Sequence, residues 1–234
     1  MNNDRISQII HESMKTAAAE IKRIHVHFNP YHSDTCGIQE RNLTHAFSRA
    51  WVQDNTGFQV FHEMPLNKPG TDGSWRFQKE HLDTVIWSND IVVYIEAKQL
   101  YRKKSVVEMS KDWTRLSKQA GPSFRKWLLD HPLKRNATEV RILLADYWSG
   151  ADKDTVVIPW WESKGENALP RHLSAMNDNS HWWQNGQSQP AADLAHVEPI
   201  HGISASDAKL RNGWETYRTH YLLAAWNIAA FSPS

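Results

Sequence analysis

The fold turns on one stretch: His81-Leu82-Asp83-Thr84-Val85-Ile86-Trp87, then Ser88-Asn89-Asp90, then Ile91-Val92-Val93-Tyr94-Ile95-Glu96-Ala97-Lys98. Two runs rich in β-branched and aromatic residues flank three turn formers, which is the pattern of two antiparallel strands joined by a short hairpin. With the turn centred near Asn89, position 83 lies across from about 95, so Asp83 and Glu96 come within a residue of direct opposition. Side chains alternate along a strand, so Lys98 shares the face of Glu96. Two carboxylates and an ammonium therefore meet at the far end of the hairpin.

Working outward, residues 58 to 64 form a strand before the hairpin, and the Pro/Gly-containing stretch from Asn67 to Trp75 reads as a loop between them. Upstream, Ile6, Ile9, Ile10, Met14, Ala17, Ala18 and Ile21 recur at helical spacing over residues 4 to 24. Leu43, Ala46, Phe47, Ala50 and Trp51 give a second apolar stripe over 38 to 52, with Gly37 at the N-cap. Downstream, Val106, Met109, Trp113, Leu116 and Ala120 fall on one helical face. After Gly121-Pro122 a short helix carries Phe124, Trp127 and Leu128, and residues 139 to 147 give a fourth strand. Residues 149 to 205 carry no assignable pattern. Ser206 then opens a final helix with Leu210, Trp214, Tyr217, Tyr221, Leu222 and Ala225 inward. This order predicts one α/β domain over residues 1–234, a sandwich with a mixed central sheet flanked by helices. Its core spans about 38–148, and a Trp-rich C-terminal elaboration over 149–234 ends in a helix.

At 234 residues the chain suits one well-filled domain on a prior of roughly 100 to 200 residues per domain. A single cysteine, Cys36, excludes an intrachain disulfide and points to a reducing compartment, the cytoplasm. The N-terminus lacks a signal-type apolar core, and the run from Tyr221 to Phe231 is far short of the ~20 residues of a membrane span, so no membrane partner is expected. The net charge of +1 hides a segregation. From Lys98 to Arg135 eleven Lys or Arg stand against Glu108, Asp112 and Asp130, a local +8 that leaves −7 elsewhere. Arg102, Lys103, Lys104, Lys111, Arg115 and Lys118 supply a basic stripe beside Lys98, suited to phosphates contacted without regard to sequence. The bland alternative is a solvated face, with Glu108 and Asp112 available for ion pairs along the helix.

Carboxylates are the ligands Mg²⁺ prefers, and one or two of them leave positions open for water and a phosphate oxygen. A nearby cation can orient that water and offset charge developing on phosphorus. Leu82-Asp83, followed after the hairpin by Ile95-Glu96-Ala97-Lys98, resembles the PD-(D/E)XK motif of the restriction-endonuclease-like nuclease superfamily, with Leu82 where the motif's proline would stand. The match covers the helix at 38 to 52 through the strand at 139 to 147, about half the chain. The resemblance implies a restriction-endonuclease-like sandwich and hydrolysis of DNA phosphodiesters in restriction, defence or repair, with RNA left open. It implies Mg²⁺, or Mn²⁺ in its place, held by Asp83 and Glu96, and an attacking water positioned or activated by Lys98. Several members of that superfamily bring a glutamate from the preceding helix, and Glu40 matches through its spacing from Leu43 and Phe47.

Other readings stand beside this one. Asp83 alone is also what a satisfied polar residue at a strand end looks like, bonded to a backbone group or to His81. Glu40 suits a capping role towards the Gly37 N–H equally well. Glu63 has no matched spacing and reads as a surface residue. Twelve tryptophans, notably Trp160-Trp161 and Trp182-Trp183, suggest base stacking, whereas Trp51, Trp113 and Trp214 fall on core stripes. Thirteen histidines without matched ligand spacing are a weak zinc signal; His25, His27, His32, His45 and His62 read as ordinary polar or core residues. A non-catalytic module of the same fold is the main rival, and docking of another copy or a protein partner through the Trp-rich C-terminal region is a third possibility.

Overall fold

A computed structural model describes residues 2–27, 40–69, 75–100, 103–127, 137–150, 161, 194–202 and 218–230. Helices α1 (Asn3–His27) and α2 (Glu40–Asp54) precede strands β1 (Gln59–Pro69), β2 (Trp75–Trp87) and β3 (Ile91–Leu100). Helix α3 (Lys103–Arg115) runs through a π turn (Leu116–Ala120) into α4 (Gly121–Trp127), and strands β4 (Thr138–Gly150), β5 (Leu194–Gly202) and β6 (Arg218–Ala230) follow. The six strands form one mixed sheet in the order β1-β2-β3-β4-β6-β5. The fold is therefore α/β. No helix among the described residues is long and apolar enough to cross a membrane.

Strands β1, β2 and β3 form an antiparallel meander, and the Ser88 N–H closes the β2–β3 turn on the Ile91 carbonyl at 2.9 Å. Strand β4 is parallel to β3, so α3, the π turn and α4 form the crossover that parallel pairing requires. Alternation divides β3 between two cores. Val92, Tyr94 and Leu100 face α3 and α4 with Met109, Trp113, Leu116 and Phe124, while Ile91, Val93, Ile95 and Ala97 face α1 and α2. Each apolar position that set the α1 and α2 stripes is buried, Trp51 included.

Three expectations need correction. The 67–75 region is not wholly a loop, because β1 continues to Pro69 and β2 starts at Trp75. Gly121-Pro122 does not separate two helices. The chain passes from α3 through the π turn into α4 without a break, and Pro122, which has no N–H to give, follows a turn where the i→i−4 ladder is already interrupted.

The third is the C-terminal helix. Residues 218–230 are strand, with Tyr221, Leu222 and Ala225 paired to β4, while Leu210, Trp214 and Tyr217 lie outside the described residues. Leu222-Leu223-Ala224-Ala225-Trp226 is apolar at every position, because β6 is an inner strand between β4 and β5 with both faces covered. Such a run fits either period. Trp161 is also fully buried, its Nε1–H donating to the Ala224 carbonyl at 3.0 Å, which makes it a core residue rather than a stacking platform. Trp160, Trp182 and Trp183 lie outside the described residues.

Candidate active site

The β2–β3 pairing runs from Trp87↔Val92 to Thr84↔Ile95, and its continuation sets Asp83 across from Glu96. There the ladder gives way to a side chain: the Ala97 N–H donates to Asp83 Oδ2 at 2.7 Å. Part of the bland reading of Asp83 is therefore real, since a backbone group satisfies one of its oxygens. Glu63, which sequence reasoning set aside, lies in β1 between the pairs His62↔Thr84 and Met64↔Leu82, and so beside Asp83 on the other flank. Its φ of 56° is left-handed, a conformation that costs a non-glycine residue about 1 kcal/mol or more. Its carboxylate is held by Arg41 of α2 at 3.1 Å. The signal that could have found it was the register of the first hairpin, not a motif.

Glu40 is the first residue of α2, and its carboxylate reaches the end of β3. Lys98 Nζ lies 3.1 Å from Oε1 and 3.2 Å from Oε2, and the Gln99 N–H donates to Oε1 at 3.3 Å. Gly37, its alternative capping partner, lies outside the described residues. Lys98 also lies 3.6 Å from Asp112 and 3.9 Å from Glu108, both on α3. Glu96, only 1 % exposed, accepts from Arg115 Nε at 3.0 Å, and Arg115 also binds Asp112. The site thus collects side chains from α2, β2, β3 and α3.

The basic stripe is only partly as expected. Lys111 and Lys118 are exposed, but Arg115 turns inward onto Glu96 and Asp112 instead of lining an open phosphate-binding face. The reason is spacing: Glu108, Asp112 and Arg115 at i, i+4 and i+7 share the α3 face directed at the end of β3. Lys103 and Lys104 belong to the first turn of α3, and Arg102 lies outside the described residues. Asp112 is the residue that motif reading missed as a member of the site; that same i, i+4, i+7 pattern was its signal.

Burial and mutual repulsion set the electrostatics. Burial pushes the Asp83 carboxyl up, opposed by the Ala97 N–H and reinforced by Glu40 and Glu63. Burial, then the Asp83 charge, pushes Glu96 well above the usual carboxylate range against the pull of Arg115. Asp112 is raised to about 6, burial outweighing Arg115 and Lys98. For Lys98, burial works against the ammonium, but Asp112, Glu40 and Glu108 outweigh it and the net shift is upward.

On the opposite face of β2 a hydrogen-bond chain anchors the Asp83 backbone. The Thr84 hydroxyl donates to the Asp83 carbonyl at 2.7 Å, so His62, whose Nδ1 lies 2.7 Å from that hydroxyl, must be the donor to it. This fixes the His62 tautomer with Nε2 bare. The ring stacks on His45 at 3.9 Å and lines a cleft of about 340 Å³ with Ser48, Arg49, Val52 and Val60. Burial and the neighbouring His45 lower the His62 pKa from 6.5. A base that is harder to protonate when folded contributes stability that is fully present above pH 6.5 and is lost as pH falls through its folded value. The raised carboxyls of Asp112 and Glu96 act in the opposite direction over the same window, so the readout is a difference: between pH 7.5 and 5.5 the urea midpoint of the wild type is expected to fall relative to that of His62→Gln. A difference that does not change with pH would show that His62 plays no part.

Oxygen ligands in number suit a hard divalent cation, and Asp112 Oδ2, buried without a hydrogen-bond partner, is the type of atom such a cation satisfies. Asp83, Glu96 and Glu40 fit Mg²⁺ in donor type, with Glu96 bound by Arg115 and Glu40 by Lys98. Among the described residues no three His, Cys, Asp or Glu are already gathered into a cation cage. Compared with known proteins, the chain matches no family model, no curated protein and no solved structure.

Proposed function

We propose that the chain is a metal-dependent nuclease of the restriction-endonuclease-like type that hydrolyses DNA phosphodiesters. The observation that carries this reading is the convergence of Asp83, Glu96, Lys98 and Glu40 at the end of β3, three of them from one hairpin and the fourth from the helix before it. Asp83, Glu96 and Glu40 would hold Mg²⁺ or Mn²⁺. The chemistry such an ion supplies when bound is polarisation of a phosphoryl oxygen and acidification of a bound water.

The chain's own residues do the rest. The Ala97 N–H fixes the Asp83 carboxylate, leaving its second oxygen for the site. Lys98, held by Glu40 and steered by Asp112, keeps an ammonium where an attacking water would be oriented and where charge would develop on the phosphate. The exposed Lys111 and Lys118 would track the phosphate backbone without reading sequence.

The test is cleavage of supercoiled, linear and single-stranded DNA, with RNA alongside, by the purified chain in Mg²⁺, Mn²⁺ or EDTA. Metal-dependent cutting of DNA is expected. Salt-sensitive binding with no cutting under any condition would replace this reading with a non-catalytic nucleic-acid-binding module.

A further inference from the structure

Among the described side chains around the end of β3, Asp83, Glu96, Glu40, Glu108 and Asp112 are set about Lys98 and Arg115, so carboxylates outnumber cations there. Two of the five are almost sealed from water, Glu96 at 1 % and Asp112 at 3 % exposure. Ionised carboxylates at that depth need a cation. Arg115 serves both, with Nε on Glu96 Oε1 at 3.0 Å and a terminal nitrogen on Asp112 Oδ1. Asp112 Oδ2 is left without a hydrogen-bond partner, 3.6 Å from Lys98 Nζ. The guanidinium therefore occupies the carboxylate that the proposed metal centre requires.

Arg115 is also placed to move. It is the last residue of α3, immediately before the π turn, where the regular helical ladder is interrupted, and its side chain remains 23 % exposed. A planar guanidinium matches phosphate oxygens in geometry as well as charge.

We propose that Arg115 is the resident counter-ion of Glu96, that a divalent cation competes with it for that carboxylate, and that the released guanidinium takes a phosphate oxygen of the DNA backbone. The inference rests on the metal-dependent nuclease reading and adds its regulation. Metal and DNA are coupled through one side chain, and because the coupling is reciprocal each tightens the binding of the other. Before both arrive, Arg115 keeps Glu96 compensated and the site closed to chemistry.

The experiment is a Mn²⁺ titration followed by electron paramagnetic resonance on the full chain, with and without a short duplex whose phosphorothioate linkages resist hydrolysis. Wild type, Arg115→Gln, Arg115→Lys and Glu96→Gln are compared. Without DNA, Arg115→Gln is expected to bind Mn²⁺ about tenfold more tightly than wild type and to lose the gain that the duplex gives wild type. Arg115→Lys, whose ammonium lacks the planar fork that bonds Glu96 and Asp112 through separate nitrogens, falls between them and carries the test if the glutamine variant does not fold. Unchanged or weaker Mn²⁺ binding in the folded Arg115 variants overturns the proposal and leaves Arg115 as a support for a bound Glu96. Failure of the nuclease reading looks different, because no variant, wild type included, would then bind Mn²⁺ more tightly than Glu96→Gln.

Discussion

Glu96→Gln is expected to slow cleavage by about 100-fold or more while leaving the metal-free protein no less stable than wild type. The two halves have opposite physical origins. For activity, the amide keeps the shape of the carboxylate but loses the charge that would hold a divalent cation. For stability, the native carboxylate is 1 % exposed and opposed by Asp83, so ionising it costs free energy that its bond to Arg115 only partly offsets. Removing one partner of a buried ion pair ordinarily destabilises by about 3–5 kcal/mol, because the other charge is stranded. Here Arg115 keeps Asp112, is partly exposed, and can still donate to the amide oxygen of the variant. The relief of carboxylate repulsion should therefore match or exceed the loss. Thermal melts in EDTA beside a cleavage time course check both halves. A folded variant cutting at the wild-type rate would remove Glu96 from the site, and a melt several degrees lower would show that Arg115 is stabilised mainly by Glu96.

The hairpin was legible because its information is local. Two β-branched runs around Ser88-Asn89-Asp90 define strands, turn and register together, and the register alone places Asp83 across from Glu96. Glu40 was legible through helical phase, and the structure adds its contacts with Lys98 and the Gln99 N–H, while Gly37, the partner of the capping alternative, lies outside the described residues. What stayed hidden depends on partners distant in the chain. Strand β6 reads as a helix or a strand until β4 and β5 are known to cover both its edges. Arg115 looks like one more basic residue on an exposed face until the parallel crossover lays α3 over the end of β3. The same docking turns Asp112 from a local ion-pair partner into a group that touches both site cations. Sequence periodicity reports which face of an element is polar, and it does not report which polar face is turned inward.

Lys98→Met should give a similar loss of activity, about 100- to 1000-fold, with the opposite effect on the fold. The ammonium is bound by Glu40 and lies within 4 Å of Asp112 and Glu108, and these carboxylates together hold its pKa above the ordinary lysine value. A raised pKa on a base marks a charge that stabilises the folded chain at every pH below about 10, so deleting it removes a shared cation from Glu40, Glu108 and Asp112 and leaves an apolar side chain in its place. A loss of about 1–3 kcal/mol is expected, within reach of a urea titration at pH 7.5. Methionine keeps the length of the aliphatic stem, which separates loss of charge from loss of packing. Mn²⁺ affinity provides the third readout. Lys98 repels a cation at Asp83 and Glu96, so the variant should bind Mn²⁺ at least as tightly as wild type and still fail to turn over. That combination assigns Lys98 to the attacking water and the phosphate charge and not to the metal. Cleavage within tenfold of wild type by the folded variant would show instead that the ammonium serves only to hold Glu40, Glu108 and Asp112 together.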